Sequence, residues 1–131
     1  MPPSTVIPVL GYMDVGEAVD WLCETFGFTE RWRAGNHRAQ VAVGDGAVVV
    51  TERGDDEAPS SADHSVMVRV DDVNAHHDRA RESGARILHP PTDYPYGERQ
   101  YTAEDLGGHH WSFSQSIADV APEEWGGVSH R

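Results

Sequence analysis

The chain opens on an apolar run at residues 5–10 (TVIPVL) that stops at Gly11-Tyr12, the pattern of a short strand. A helix is predicted next. Asp14 is placed to cap it, Glu17 completes a capping box, and Gly27 stands where the helix should stop. Val15, Val19, Leu22, Cys23 and Phe26 fall on one helical face. Cys23 is therefore on the buried stripe, and with no activating partner nearby it reads as core rather than nucleophile. Three strand-like runs follow, at residues 28–33, 38–43 and 47–52. Gly35-Asn36 and Gly44-Asp45-Gly46 separate them with hairpin-turn chemistry. Residues 53–63 (RGDDEAPSSAD) are polar and aperiodic, and read as a surface connection.

The same grammar then recurs. Residues 64–70 predict a strand, Asp72 a cap, residues 73–83 a helix and Gly84 its stop, before strands at 86–88, 99–104 and 109–114. Asp72-Val73 repeats Asp14-Val15, and Gly84 repeats Gly27, so the chain reads as an internal duplication. The predicted fold class is α+β, with βαβββ modules at residues 5–52 and 64–115. A module alone is an open sheet with one helix, and it needs its twin to complete a core. The 131 residues suit one domain, with residues 116–131 a tail expected to pack through Trp125 on its own chain or a partner.

Composition narrows the function classes. Cys23 is the sole cysteine, so neither a disulfide framework nor a Cys-based zinc site is expected, and a reducing cytoplasm is the default location. No apolar run approaches the roughly 20 residues of a membrane span. Met1-Pro2-Pro3-Ser4 lacks a basic stretch leading into an apolar one, so no secretory signal is expected. The formal charge of −12 repels nucleic acid and anionic membranes and mildly favours a cationic partner, besides conferring solubility.

Three segments carry a likeness to a known family. They are Ile7-Pro8-Val9-Leu10 through Asp14 to Phe26-Gly27-Phe28, Val70-Asp71-Asp72-Val73 with Ser83-Gly84-Ala85, and Tyr96-Gly97-Glu98-Arg99 leading into Glu104-Asp105-Leu106-Gly107-Gly108-His109-His110-Trp111. Their order and spacing resemble the vicinal oxygen chelate superfamily of glyoxalases, bleomycin-resistance proteins and dioxygenases, with Leu106 where proline is usual. The resemblance implies two sheets curled into a cup around a small-molecule site, and a homodimer.

It also implies where a divalent metal would sit in the enzymes of the family. The matching positions are Ile7 and Val50 in the first half and Ser65 and Ser112 in the second. None supplies the imidazole or carboxylate that such ions need, so no metal or other cofactor is expected. His64 is the exception to weigh. It neighbours Ser65, and alternation turns it away from the cup unless a bulge shifts the register. His76-His77 and His89 lie on a helix or loop, and of His109 and His110 only His110 would face the cup.

Alternation predicts the rest of the lining: Ile7 and Val9, then Val48, Val50 and Glu52, then Ser65, Met67 and Arg69, then His110, Ser112 and Ser114. Arg69 and Glu52 either bind a ligand or pair with each other at the rim. Residues 90–101 add stiff prolines and three tyrosines, with Tyr96, Arg99 and Tyr101 beside the cup mouth. Arg99 either binds an anionic group or pairs with Glu98 or Asp105, and Trp21 makes either a dimer or a ligand contact.

The favoured function is metal-independent binding of a small molecule, such as a cationic antibiotic. The alternatives are a metal-dependent glyoxalase-type or extradiol-type enzyme, metal-free acid–base catalysis by His110 or Glu52, and a structural dimer with a vestigial cup.

Overall fold

A computed structural model describes residues 6–53 and 65–118. His64, with the bulge that would turn it inward, and Trp125, with the packing of the tail, lie outside the described residues.

The first module runs β1 (Val9–Tyr12), α1 (Val15–Phe26), β2 (Thr29–Ala34), β3 (Arg38–Val43) and β4 (Gly46–Glu52). The second runs β5 (Val66–Arg69), α2 (Val73–Glu82), β6 (Arg86–Tyr94), β7 (Glu98–Glu104) and β8 (His110–Ser116). Each module forms a mixed four-stranded sheet, in the orders β1-β4-β3-β2 and β5-β8-β7-β6. The duplicated α+β plan is therefore present, as two open sheets rather than one closed barrel.

Local chemistry explains the helix ends. Asp14 accepts the amide of Glu17 at 3.0 Å and Asp72 that of Ala75 at 3.0 Å, satisfying amides that have no helical partner. Gly27 closes α1 in the left-handed region, at φ 80°, where a side chain would be strained. The expected stripe of Val15, Val19, Leu22 and Phe26 is buried, joined by Ala18 and Thr25.

The strands depart from expectation at two places. Residues 86–88 predicted a short strand, but β6 continues through Pro90 and Pro91 to Tyr94. The prolines are tolerated because β6 is an outer strand paired only to β7, and its register shifts between His89 and Thr92. In β4 the faces are reversed. Pairing sets Leu10 beside Val50 and Val9 beside Val49, so Val48 and Val50 turn into the core, and Val50 is not part of an open face. The run Ala47-Val48-Val49-Val50 is buried on both sides, and without a polar alternation its facing cannot be read from sequence.

The core joins both modules. Phe26 of α1 lies 5.7 Å from Trp111 and 5.0 Å from Phe113 of β8, ring centre to ring centre, and Phe28 lies 5.3 Å from Trp111. Side chains of α2 reach the last carbonyls of α1. Arg79 donates to the carbonyl oxygens of Glu24 and Cys23, and His76 Nε2 donates to that of Phe26 at 3.0 Å. His76 Nδ1 faces the Tyr101 hydroxyl.

Burial and the nearby Arg79 hold the His76 imidazole below its usual range, burial being the larger cause. The unfolded chain takes up a proton near pH 6.5 that the folded chain resists, so stability is full above that pH and declines as pH falls through it. Urea midpoints should therefore drop from pH 7.5 to pH 5.5, and the drop should be smaller in His76→Gln. An equal drop in both proteins would remove His76 as its source.

Candidate ligand-binding site

The face of the second sheet that turns away from the helices is polar. Along β7 it carries Glu98, Gln100, Thr102 and Glu104, which pair in register with Ser116, Ser114, Ser112 and His110 of β8. Met67 and Arg69 of β5 extend the same face beside Ser112 and Ser114. Its hydroxyls are bonded to one another and to their neighbours. Ser114 donates to Glu98 at 2.8 Å and accepts from Gln100 at 3.2 Å, and the Thr102 and Ser112 hydroxyls are 3.1 Å apart. At the far end Arg86 binds Glu104 at 3.1 Å, and His110 Nε2 lies 3.9 Å from the other oxygen of that carboxylate.

Beside this face is a groove of about 590 Å³. Val6 and Pro8, leading into β1, line it together with Val48 of β4 and Val66 and Val68 of β5. The turn Val43-Gly44-Asp45-Gly46 forms one rim, and Met67 and Arg69 belong to both groove and polar face. It follows from the topology: β1 and β5 are the outer strands of separate sheets, so nothing in the ladders closes the space between them.

The expected site residues separate into groups. Met67, Arg69, His110 and Ser112 share the polar face, and exposed Ser65 precedes it in the chain. Tyr101 does not belong with them. It lies on the helix side, fully buried, with its hydroxyl against His76. Burial pushes that phenol above its usual range. Arg99 also falls on the Tyr101 side, where it grips Asp93 at 2.6 and 3.2 Å, pairing with neither Glu98 nor Asp105. Tyr96 sits in the β6–β7 turn, its ring stacked on Tyr94 at 5.4 Å. Glu52 ends β4 beside Tyr12, 3.3 Å from His37, and so pairs with that imidazole rather than with Arg69. His110 and Glu52, the two proposed proton carriers, thus sit on different sheets and share no partner. Trp21 packs against the core with its ring 5.1 Å from Phe26.

Gln100, Thr102 and Glu104 were missing from the expected lining. Their signal was the alternation of polar with buried residues through Gln100-Tyr101-Thr102-Ala103-Glu104, a period of two. The groove had no such signal, since residues distant in sequence build it.

The positions that the resemblance matched to the family's metal ligands carry Ile7, Val50, Ser65 and Ser112. Val50 is fully buried on the helix side, and Val49, which takes the opposite face, is equally inert. Ser112 bonds Thr102. Among the described residues no group of three or more His, Cys, Asp or Glu side chains is placed to hold an ion.

One further constellation joins the modules. Asp105 is buried and accepts four hydrogen bonds: from the Tyr12 hydroxyl at 2.6 Å, Trp111 Nε1 at 2.9 Å, and the amides of Gly107 and His109 at 2.9 Å each. His109 reaches the carbonyl of Gly11 at 2.8 Å, and Arg53 donates to that of Gly107. A Cβ on Gly107 would stand 2.6 Å from the Tyr12 ring, so only glycine fits there. Burial, then the Asp105 charge, raises the Tyr12 phenol well above its usual range, which keeps it a hydrogen-bond donor.

Comparison with known proteins agrees with this architecture. Residues 7–113 match the model of the Glyoxalase/Bleomycin resistance protein/Dioxygenase superfamily. The crystal structure of TioX from Micromonospora sp. ML1 is 36% identical, with 90% of this chain and 100% of that chain covered and a TM-score of 0.73. TnmS3, described as an antibiotic binding protein from Streptomyces sp. CB03234, is 28% identical over 88% of this chain and 98% of its own, with a TM-score of 0.71. An uncharacterised protein of Mycobacterium bovis is 33% identical over 60 residues, which span 46% of this chain and 40% of that protein. The chain belongs to the glyoxalase/bleomycin resistance protein/dioxygenase superfamily.

Proposed function

We propose that this protein binds a small organic molecule without a metal, as an antibiotic-binding member of its superfamily. The observation that carries the reading is the groove of about 590 Å³ between the modules, with an apolar lining and one polar flank. Its size and its mix of apolar walls with a few polar groups suit a small-molecule site. The antibiotic-binding description of TnmS3 supports the class of ligand. The side chains at the family's metal positions support independence from a metal. The homodimer and the cytoplasmic location belong to the same proposal.

A thermal-shift panel of antibiotics and small carbonyl metabolites tests it. At least one antibiotic should raise the melting temperature, equally with and without EDTA, and Met67→Asp should abolish the rise. Met67 is 61% exposed, so that substitution leaves the core intact. A stabilisation that appears only with added Zn, Ni, Mn or Fe would replace this reading with the metal-dependent enzyme.

A further inference from the structure

The charge of the groove differs from that of the chain. The whole protein carries −12 and should draw cations from solution. Arg69, however, is the basic group on the groove's lining, and its guanidinium has no ion pair or hydrogen bond to any described residue. Three other arginines of the second module are engaged, Arg86 by Glu104, Arg99 by Asp93 and Arg79 by the carbonyls of α1, and Arg81 lies on α2, off the groove's lining. Glu98, an acid on the same polar face, accepts from Ser114. Asp45 is the acid on the lining, and it belongs to the β3–β4 turn, where it has an interaction of its own. Valines and Pro8 make up most of the remaining wall.

An unpaired guanidinium beside an apolar wall favours a molecule with an apolar body and one anionic group. We propose that the groove selects small amphipathic anions, such as carboxylates or phenolates, with Arg69 receiving the charge. This rests on the small-molecule reading above and adds the charge class of the ligand. The long-range field then acts on encounter, and the local cation decides what stays bound.

Isothermal titration of the full chain at low ionic strength with decanoate, decanol and decylammonium, each below its micelle-forming concentration, tests the proposal. Decanoate should bind at least about tenfold more tightly than decylammonium, a factor equal to ~1.4 kcal/mol. Arg69→Gln should lower decanoate affinity about tenfold and leave decanol unchanged. Arg33→Gln, which alters a guanidinium of the first module held by Asp20 and Glu30 and off the groove's lining, should change neither. Equal or tighter binding of decylammonium, or an unchanged decanoate affinity in Arg69→Gln, would overturn the anion preference. Retained decanol binding in that case would leave the small-molecule reading standing. Failure of all three probes to bind would remove the groove as the site, while a chelator-independent antibiotic shift would still support binding elsewhere.

Discussion

Asp105→Ala should destabilise the protein more than any other single substitution at a polar position, by at least about 3 kcal/mol. The change removes one carboxylate and strands four buried donors. Each buried donor left without a partner costs roughly 1–3 kcal/mol, although relaxation and entering water recover part of the sum. The two amides sit in the loop that brings His109 to Gly11, and Tyr12 and Trp111 belong to different modules. Losing Asp105 therefore loosens the junction as well as the loop. Two milder variants separate these effects. Tyr12→Phe removes one donor together with its need for an acceptor, and should cost about 1 kcal/mol. Asp105→Asn keeps an oxygen for the amides but cannot accept from Trp111 through its NH2 group, and should fall between the other two. Urea denaturation followed by circular dichroism provides the measurement. An Asp105→Ala midpoint within error of Tyr12→Phe would show that the carboxylate is not the keystone of the junction.

Phe26→Ala should cost about 3–5 kcal/mol. Its ring is 3% exposed and lies within about 6 Å of Trp21, Phe28, His76, Trp111 and Phe113, centre to centre. Few of these neighbours can move to fill the space, because Trp111 and Phe113 are fixed in the middle of a paired strand and His76 is bonded at both ring nitrogens. The cavity should therefore persist and its cost approach the upper end of the range. Phe26→Leu should lose less than half as much, since most of the volume is kept. A loss below 1 kcal/mol for Phe26→Ala would mean that the modules do not depend on each other through this cluster. A two-step transition, with the modules melting separately, would point the same way.

Legibility in the sequence followed the physics of each element. The helices were readable because their signals are local: Asp14 and Asp72 cap, Gly27 and Gly84 follow the ends, and apolar residues recur at helical spacing. The second sheet's polar face was partly readable because β5 and β8 alternate, which correctly grouped Met67, Arg69, His110 and Ser112. Val50 was misassigned because β4 is apolar on both sides and only pairing with β1 fixes its facing, whereas Val48 belongs to the core and also borders the groove. Tyr101 was misassigned for a related reason. The tyrosine-rich stretch from Tyr94 to Tyr101 suggested a mouth, whereas β7 turns Tyr101 toward α2. Asp105 was visible as part of a motif, but its role depends on Tyr12, far away in sequence. Arg99 shows that a cation near a supposed site needs its partner identified first, and Asp93 is that partner.

The groove and its independence from metal are tested most directly by one titration. The antibiotic found by thermal shift is titrated calorimetrically into protein stripped with EDTA, and then into the same protein with Zn, Ni, Mn or Fe restored. The expected result is one affinity in every case, with stoichiometric binding to the stripped protein. Binding that is lost on stripping and recovered with one of these ions would contradict metal-independent binding and move the protein to the metal-dependent side of its superfamily.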